Sequence, residues 1–288
     1  MIQARNKLSQ EELSEAKKLI NCCQAYDETY RDPYLSNMLN FDTNMPAFFL
    51  YYEKGELVGL LTVYADDLDV EVAILVHPNH RCQGIARALY RSFEKETASY
   101  PIESVTFQTE RIFLERHPDF ASNWGLVEDE ETETWLGKDR RPYPLANVSN
   151  LEVLLADRSY QDQISQLKFQ AFSEDHESRE VVDRYVAKAL KDPESLLYIL
   201  LKNGQVIGTC TVDLSSNTNY LFGLAIAELE RGKGYGTYLA KSLINQLIEQ
   251  NDKAFQIAVE DSNLGAKRLY EKIGFVKQTQ VVYLKPKV

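Results

Sequence analysis

The chain has 288 residues, 44% of them hydrophobic and 26% charged, with a formal net charge of −11. That length exceeds a usual single domain and is ample for two cores of about 100–150 residues each. The acidic balance argues against nucleic acid, whose phosphates demand a basic face, and no apolar run approaches the ~20 residues of a membrane span.

The amino terminus, Met1 to Glu12, is polar and lacks the apolar core of a secretory signal, so a cytoplasmic address is expected. Cys22, Cys23, Cys82 and Cys210 show no disulfide framework and no CxxC pair. His77, His80, His117 and His176 are scattered, and no metal site is expected.

Ser9-Gln-Glu-Glu12 is a capping-box start to a helix running towards Tyr26. Ala47 to Tyr52 and Leu57 to Tyr64 flank Glu53-Lys54-Gly55-Glu56 as a hairpin. Val70 to Val76 reads as a buried strand leading through His77-Pro78-Asn79-His80 into Arg81-x-x-Gly84-x-Ala86, after which Ala86 to Glu96 has helical spacing. Val105 to Thr109 is the next strand, and Glu128-Asp-Glu-Glu131 reads as a solvated edge. Gly137 to Asn150, with Pro142 and Pro144, is expected to be a linker.

Beyond it, Leu151 to Ala156 reads as a strand and 161–172 and 179–190 as helices. A hairpin follows, Leu196 to Leu201 with Val206 to Leu214 around Asn203-Gly204. Tyr220 to Ala227 is an apolar strand that ends in Arg231-Gly232-Lys233-Gly234-Tyr235-Gly236, and Leu239, Leu243, Leu247 and Ile248 then recur at helical spacing. Ala254 to Val259 is strand-like, 263–272 helical, and Val276 to Leu284 closes the sheet of this half.

A strand, a glycine-rich turn and a helix start together form an anion cradle. Glycine permits positive φ and close approach of a phosphate, and the unpaired N–H groups of the helix start point at the anion. Two familiar phosphate loops fail on spacing. Lys233 is followed by Gly234, where a Walker loop needs Ser or Thr, and Gly232, Gly234 and Gly236 form GxGxG well inside their half, not GxGxxG in a first βα turn.

The succession Arg231-x-x-Gly234-x-Gly236, helix, strand, and Asn263-Leu-Gly-Ala266-Lys-Arg-Leu-Tyr270-Glu-Lys-Ile-Gly274-Phe275 resembles the pyrophosphate loop and second acetyl-CoA motif of the GNAT superfamily of N-acetyltransferases. The resemblance covers nearly all of 150–285 and, more weakly, 5–136. It implies an α/β (α+β) fold of two tandem GNAT-like domains, each a mixed, mainly antiparallel sheet flanked by helices. It also implies acetyl-CoA as cosubstrate and a primary amine of unidentified structure as acceptor. The cofactor would be held by Leu224, Ala225 and Ile226 of the preceding strand, by Arg231, Gly232, Lys233, Gly234, Tyr235 and Gly236, and by Asn263. Tyr270 would give the departing thiolate its proton. Its helical spacing to Ile273 and Gly274 is equally that of a packed core tyrosine.

Glycine landmarks divide the chain into two copies, 1–146 and 147–288. Gly55 and Gly59 match Gly204 and Gly208 at an offset of 149, and Arg81-x-x-Gly84-x-Ala86 matches Arg231-x-x-Gly234-x-Gly236 at 150. Trp124-Gly125-Leu126 matches Ile273-Gly274-Phe275 at 149. The surfaces differ: 1–146 carries net −10 and 147–288 net −1. In the first copy Leu75, Val76, Arg81, Gly84 and Ala86 would hold a second cofactor, but Leu114 and Ala121 stand where the second has Asn263 and Tyr270.

Many relatives carry a carboxylate in the strand before the cradle as general base, and this sequence has Gly223 and Leu224 there. Asp213, Glu260 and Glu174-Asp175-His176-Glu177 remain as alternatives. Two hypotheses follow: an acetyltransferase with a catalytic carboxy-terminal domain and a degenerate amino-terminal one, or a non-catalytic acyl-CoA-binding module.

Overall fold

The computed structural model describes residues 1–146, 148–172 and 178–287. They group into two compact units: Met1–Trp135 together with the residues from Gln278 onward, and Leu136–Lys277. The stretch Glu174–Glu177 lies outside the described residues.

The first unit begins with β1 (Ile2–Arg5) and α1 (Gln10–Asp27), whose start is the expected reciprocal cap: Glu12 N donates to Ser9 Oγ while Ser9 N donates to Glu12 Oε2. The hairpin is β2 (Phe48–Glu53) and β3 (Glu56–Tyr64), followed by β4 (Asp69–Val76), α2 (Ile85–Thr97) and β5 (Ser104–Glu110). Two short helices, α3 (Arg111–Arg116) and α4 (Phe120–Trp124), lead into β6 (Leu126–Lys138). The segment breaks at His117-Pro118, because the residue before a proline is pushed out of helical φ/ψ.

β3 is buried from Leu57 to Val63, so both of its faces are covered. α1 packs into the core through Ala16, Leu19, Ile20 and Cys23, and α2 through Ile85, Leu89 and Phe93.

The second unit contains β7 (Leu151–Leu155), α5 (Gln161–Phe172), α6 (Arg179–Ala189), β8 (Ser195–Lys202), β9 (Gln205–Asp213), β10 (Asn219–Ile226), α7 (Tyr235–Gln250), β11 (Phe255–Glu260) and α8 (Leu264–Lys272). β8 shows why this sheet is two-sided. Leu197, Ile199 and Leu201 meet Ile164 of α5 and Val182 and Val186 of α6, while Tyr198 and Leu200 join the cluster built by Leu239, Leu243 and Leu247 of α7. Period-two alternation on one strand thus serves two helical layers.

Three readings change. Gly137 and Lys138, expected to open a linker, are the end of β6. The acidic run Glu128–Glu131 is solvated as expected, with Glu128, Glu130 and Glu131 exposed, but it lies inside that strand, where Arg111 pairs with Glu128 and Lys285 with Asp129. The last strand, β12 (Val276–Pro286), pairs antiparallel with β5 of the first unit from Val281↔Glu110 to Leu284↔Phe107, and so does not close the sheet of the second copy. The strand order is β1-β2-β3-β4-β5-β12-β6 in the first unit and β11-β10-β9-β8-β7 in the second. Both sheets are mixed, because β4 runs parallel to β5 and β10 parallel to β11 while the other pairings described are antiparallel.

Candidate active site

In the second unit β10 pairs with β11 only from Asn219↔Phe255 to Leu221↔Ile257, although both strands continue beyond that point. On its other side β10 loses register with β9 between Phe222 and Ala225 and resumes at Ala225↔Thr209. The interruption is a β-bulge with Gly223 at φ +58, a left-handed conformation that glycine adopts without strain. Leu224, Ala225 and Ile226 therefore run out of the bulge with no β11 partner beside them, and their main-chain groups border an opening between the two strands.

The opening leads into the glycine turn. Glu228–Glu230 form one turn of 3-10 helix, and the Arg231 side chain clips the turn to its strand, Nε donating to Ile226 O at 3.1 Å. Gly232 and Gly234 have φ +75 and +84, and a Cβ built on either would meet nothing within 4 Å. Gly234 is the N-cap of α7 and provides no side-chain cap. The first amide in the helix ladder is that of Tyr238, which donates to Gly234 O at 3.0 Å. The amides of Tyr235, Gly236 and Thr237 have no acceptor within the helix, which is the arrangement that receives an anion. Lys233 and Lys202 both pair with Glu230, at 3.0 and 2.9 Å, and Lys202 ahead of Lys233 holds that carboxyl below the usual range.

α8 packs against the same place. A Cβ on Gly236 would lie 3.0 Å from Leu269 of α8 and 3.6 and 3.8 Å from Ile226 and Leu224 of β10, so cradle, strand and second motif meet at this buried glycine. Asn263 caps α8, its Oδ1 accepting from Ala266 N at 3.0 Å. Tyr270 is 5% exposed, and its ring meets Phe275 edge-on with centroids 6.1 Å apart. Burial, with a smaller contribution from Cys210, pushes its hydroxyl above the ordinary phenol range, so it keeps its proton at neutral pH.

The first unit repeats the loop but not the bulge. β4 pairs with β5 in parallel from Asp69↔Ser104 to Val72↔Phe107 and then runs on to Val76, while β3 and β4 stay in register throughout. Leu75 and Val76 border a cleft of about 720 Å³, lined also by Arg81, Gly84, Ala86 and Trp124. The loop takes the same backbone path as its counterpart: Cys82 has φ +61 where the second copy has Gly232, and Gly84 has φ +82 as the N-cap of α2. Arg81 clips this turn likewise, Nε donating to Val76 O at 3.0 Å. Its Nη1 and Nη2 donate to Asp27 Oδ1 and Oδ2 at 2.7 and 2.5 Å, so its charge is already met by α1. Leu114 and Ala121 pack against the core of this unit.

Of the base candidates, Asp213 stands at the far end of β9, opposite Tyr220. Its Oδ1 and Oδ2 accept from Ser215 N and Oγ at 3.1 and 2.9 Å, and burial raises it to about 6 against those bonds. It serves a buried turn. Glu260 is exposed at the end of β11 and faces Ser262 Oγ at 3.5 Å. Among the described residues no cluster of His, Cys, Asp and Glu could hold a metal ion, and no helix is long and apolar enough to cross a membrane.

Two polar groups were not anticipated. Lys168, on the inner face of α5, is 5% exposed and lies against the β10 bulge. Its position four residues after Ile164, where the helix needs an apolar residue, was the available signal. Glu71 sits in β4 between Val70 and Val72 and accepts from Gln108 Nε2; burial pushes it up to about 8 while Arg31 opposes the rise.

The chain belongs to the GNAT acetyltransferase family, whose model matches it twice, over residues 13–137 and 161–275. The family uses acetyl-CoA. Mycothiol acetyltransferase of Clavibacter sepedonicus is similar, 25% identical over 230 residues that make up 76% of this chain and 73% of that protein. The solved structure of a GCN5-related N-acetyltransferase from Sphaerobacter thermophilus shares the fold at 17% identity with a TM-score of 0.70, over 100% of this chain and 96% of the other. A tandem GNAT protein from the clavulanic acid biosynthesis pathway does so at 15% identity with a TM-score of 0.70, over 99% and 97% of the two chains.

Proposed function

We propose that the second unit transfers the acetyl group of acetyl-CoA to a primary amine. The observation that carries this reading is the meeting, at Gly236, of an interrupted strand, an open anion cradle and the helix that bears Tyr270. Acetyl-CoA supplies an acyl group activated as a thioester.

These residues fit such a cosubstrate. The amides of Tyr235, Gly236 and Thr237 receive pyrophosphate oxygens, and Gly232 and Gly234 leave the approach clear of side chains. Arg231 fixes the turn, and Lys233 adds positive charge beside it. Leu224 to Ile226 offer main-chain groups to the pantetheine arm, and Asn263, at the mouth of α8, adds a side-chain amide. Tyr270 retains a proton because it is buried, and it donates that proton to the sulfur as the carbon–sulfur bond breaks and the nitrogen–carbon bond forms. The amine gives up one proton to solvent, and a proton from solvent restores the tyrosine. The first unit holds a second cofactor at Leu75, Val76, Arg81, Gly84 and Ala86 without turnover, since Ala121 replaces the tyrosine.

One observation favours a second reading, in which the first unit turns over. Glu71 gives that unit a carboxyl that burial keeps largely protonated at neutral pH, able to give a proton to a departing thiolate, on the strand before its cradle.

The relative's name assigns mycothiol to that protein. At 25% identity it supports the reaction class here and leaves the acceptor open.

A panel of amines incubated with acetyl-CoA, with free thiol followed over time, tests the proposal. Thiol release that Gly234→Val abolishes and Glu71→Gln leaves intact supports the second unit. Release abolished only by Glu71→Gln moves the chemistry to the first, and no release with any amine while CoA still binds makes the chain a binding module.

A further inference from the structure

Lys168 is a buried lysine at the point where β10 changes register. Its Nζ lies 3.5 Å from Gly223 O and 3.5 Å from Thr211 Oγ1, with the ring of Tyr185 at 5.2 Å and that of Phe172 at 5.8 Å. A Cβ on Gly223 would come within 2.7 Å of the same nitrogen. Gly223 is thus required for its φ of +58, and the ammonium at the movable end of the lysine side chain occupies the space beside it. Bulge and lysine are fitted to each other.

We infer that Lys168 is a positioning residue for the transfer, holding the Gly223 carbonyl and thereby aiming the Leu224 amide at the opening beside β10. The inference rests on the reading that this opening receives the thioester. A trans peptide is planar, so its C=O and the following N–H point in opposite directions. An ammonium that draws Gly223 O towards α5 turns the Leu224 N–H away from α5, and a full charge orients a peptide dipole more strongly than a neutral donor does. No register pair with β9 spans this peptide among the described residues, because the pairing stops at Phe222 and resumes only at Ala225. Preorganised amides gain their catalytic value from being fixed before the reaction begins.

The test uses the full chain with Lys168→Met, which keeps length and bulk and removes the charge, and Lys168→Gln, which keeps a donor. The amide resonances in an NMR spectrum read the bulge directly and need no substrate. The Leu224 amide resonance is expected to shift and broaden in Lys168→Met, with the Leu221 and Ile257 amides unchanged and Lys168→Gln intermediate. With the amine that the parent acetylates, kcat should fall about tenfold to a hundredfold in Lys168→Met while KM for acetyl-CoA stays within about twofold.

An unmoved Leu224 amide, or a parent-like kcat in a folded Lys168→Met protein, overturns the inference. Should Lys168→Met fail to fold, the same two readouts in Lys168→Gln decide the matter, an amide and a kcat like the parent's again overturning it. If the parent acetylates no amine, the proposed activity fails, while the amide resonances still decide whether Lys168 holds the bulge.

Discussion

Arg81 and Asp27 form a two-pronged ion pair across the mouth of the first cleft, Nη1 to Oδ1 at 2.7 Å and Nη2 to Oδ2 at 2.5 Å. The Asp27 side chain is 7% exposed and the Arg81 side chain 22%. Arg231, the equivalent residue of the second copy, makes the same clip to its strand but lies exposed. The pair ties the end of α1 to the loop, so that an anion bound there would meet backbone amides with little side-chain charge. Asp27→Ala strands a half-buried guanidinium and should destabilise the first unit by about 2–4 kcal/mol. Urea unfolding followed by far-UV circular dichroism measures it, and a loss below half a kcal/mol would show the pair to be solvated.

Gly234→Val tests the second cradle. A β-branched residue at φ +84 carries a penalty of about 1–3 kcal/mol, and its side chain points into the space a phosphate would use. CoA affinity measured by calorimetry should fall at least tenfold, while Gly84→Val should remove only whatever binding belongs to the first unit. Unchanged CoA affinity in a folded Gly234→Val protein would place the cofactor elsewhere.

Much of this arrangement was legible in the sequence. Ser9 and Glu12 predicted their helix start because a capping box is local chemistry, and the two glycine turns predicted their strand–turn–helix units for the same reason. The acidic run at Glu128 concealed β6, since its neutralising partners, Arg111 and Lys285, are remote in sequence. β12 followed the strand pattern, but pattern does not choose a neighbour, and β5 was its partner. Lys168 was hidden because its role depends on a bulge that only the register of β9 and β10 reveals.

Asp213 gives a pH signature. Burial raises its carboxyl from 3.8 to about 6, so the folded state binds this proton more tightly than the unfolded chain does. Its contribution therefore favours folding below pH 4, weakens as pH rises from 4 to 6 and is constant above. The change amounts to about 3 kcal/mol at most. Asp213→Asn does not titrate, so its stability relative to the parent should improve as pH rises from 4 to 7. Thermal unfolding across that range checks the trend, and a parallel course for both proteins would mean that Asp213 is not desolvated.

Cys82 occupies the left-handed position that Gly232 fills in the other loop, at φ +61. A non-glycine residue there is strained by about 1–2 kcal/mol, and glycine relieves this while losing more chain entropy, by roughly 0.5–1 kcal/mol. Cys82→Gly should raise thermal stability slightly, by a degree or two, and the reciprocal Gly232→Cys should lower it. Differential scanning calorimetry on the pair checks both signs, and a lower transition for Cys82→Gly would show that Cys82 makes a contact worth more than the strain.

The central claim, that Tyr270 is the proton donor of a catalytic second unit, is tested most directly by Tyr270→Phe. The substitution keeps the ring packed against Phe275 and deletes only the hydroxyl, which makes no hydrogen bond among the described residues. Turnover of the accepted amine should fall at least about tenfold, with melting temperature and CoA affinity close to the parent's. Parent-like turnover under conditions where chemistry limits the rate would contradict the account and leave Tyr270 as a core residue.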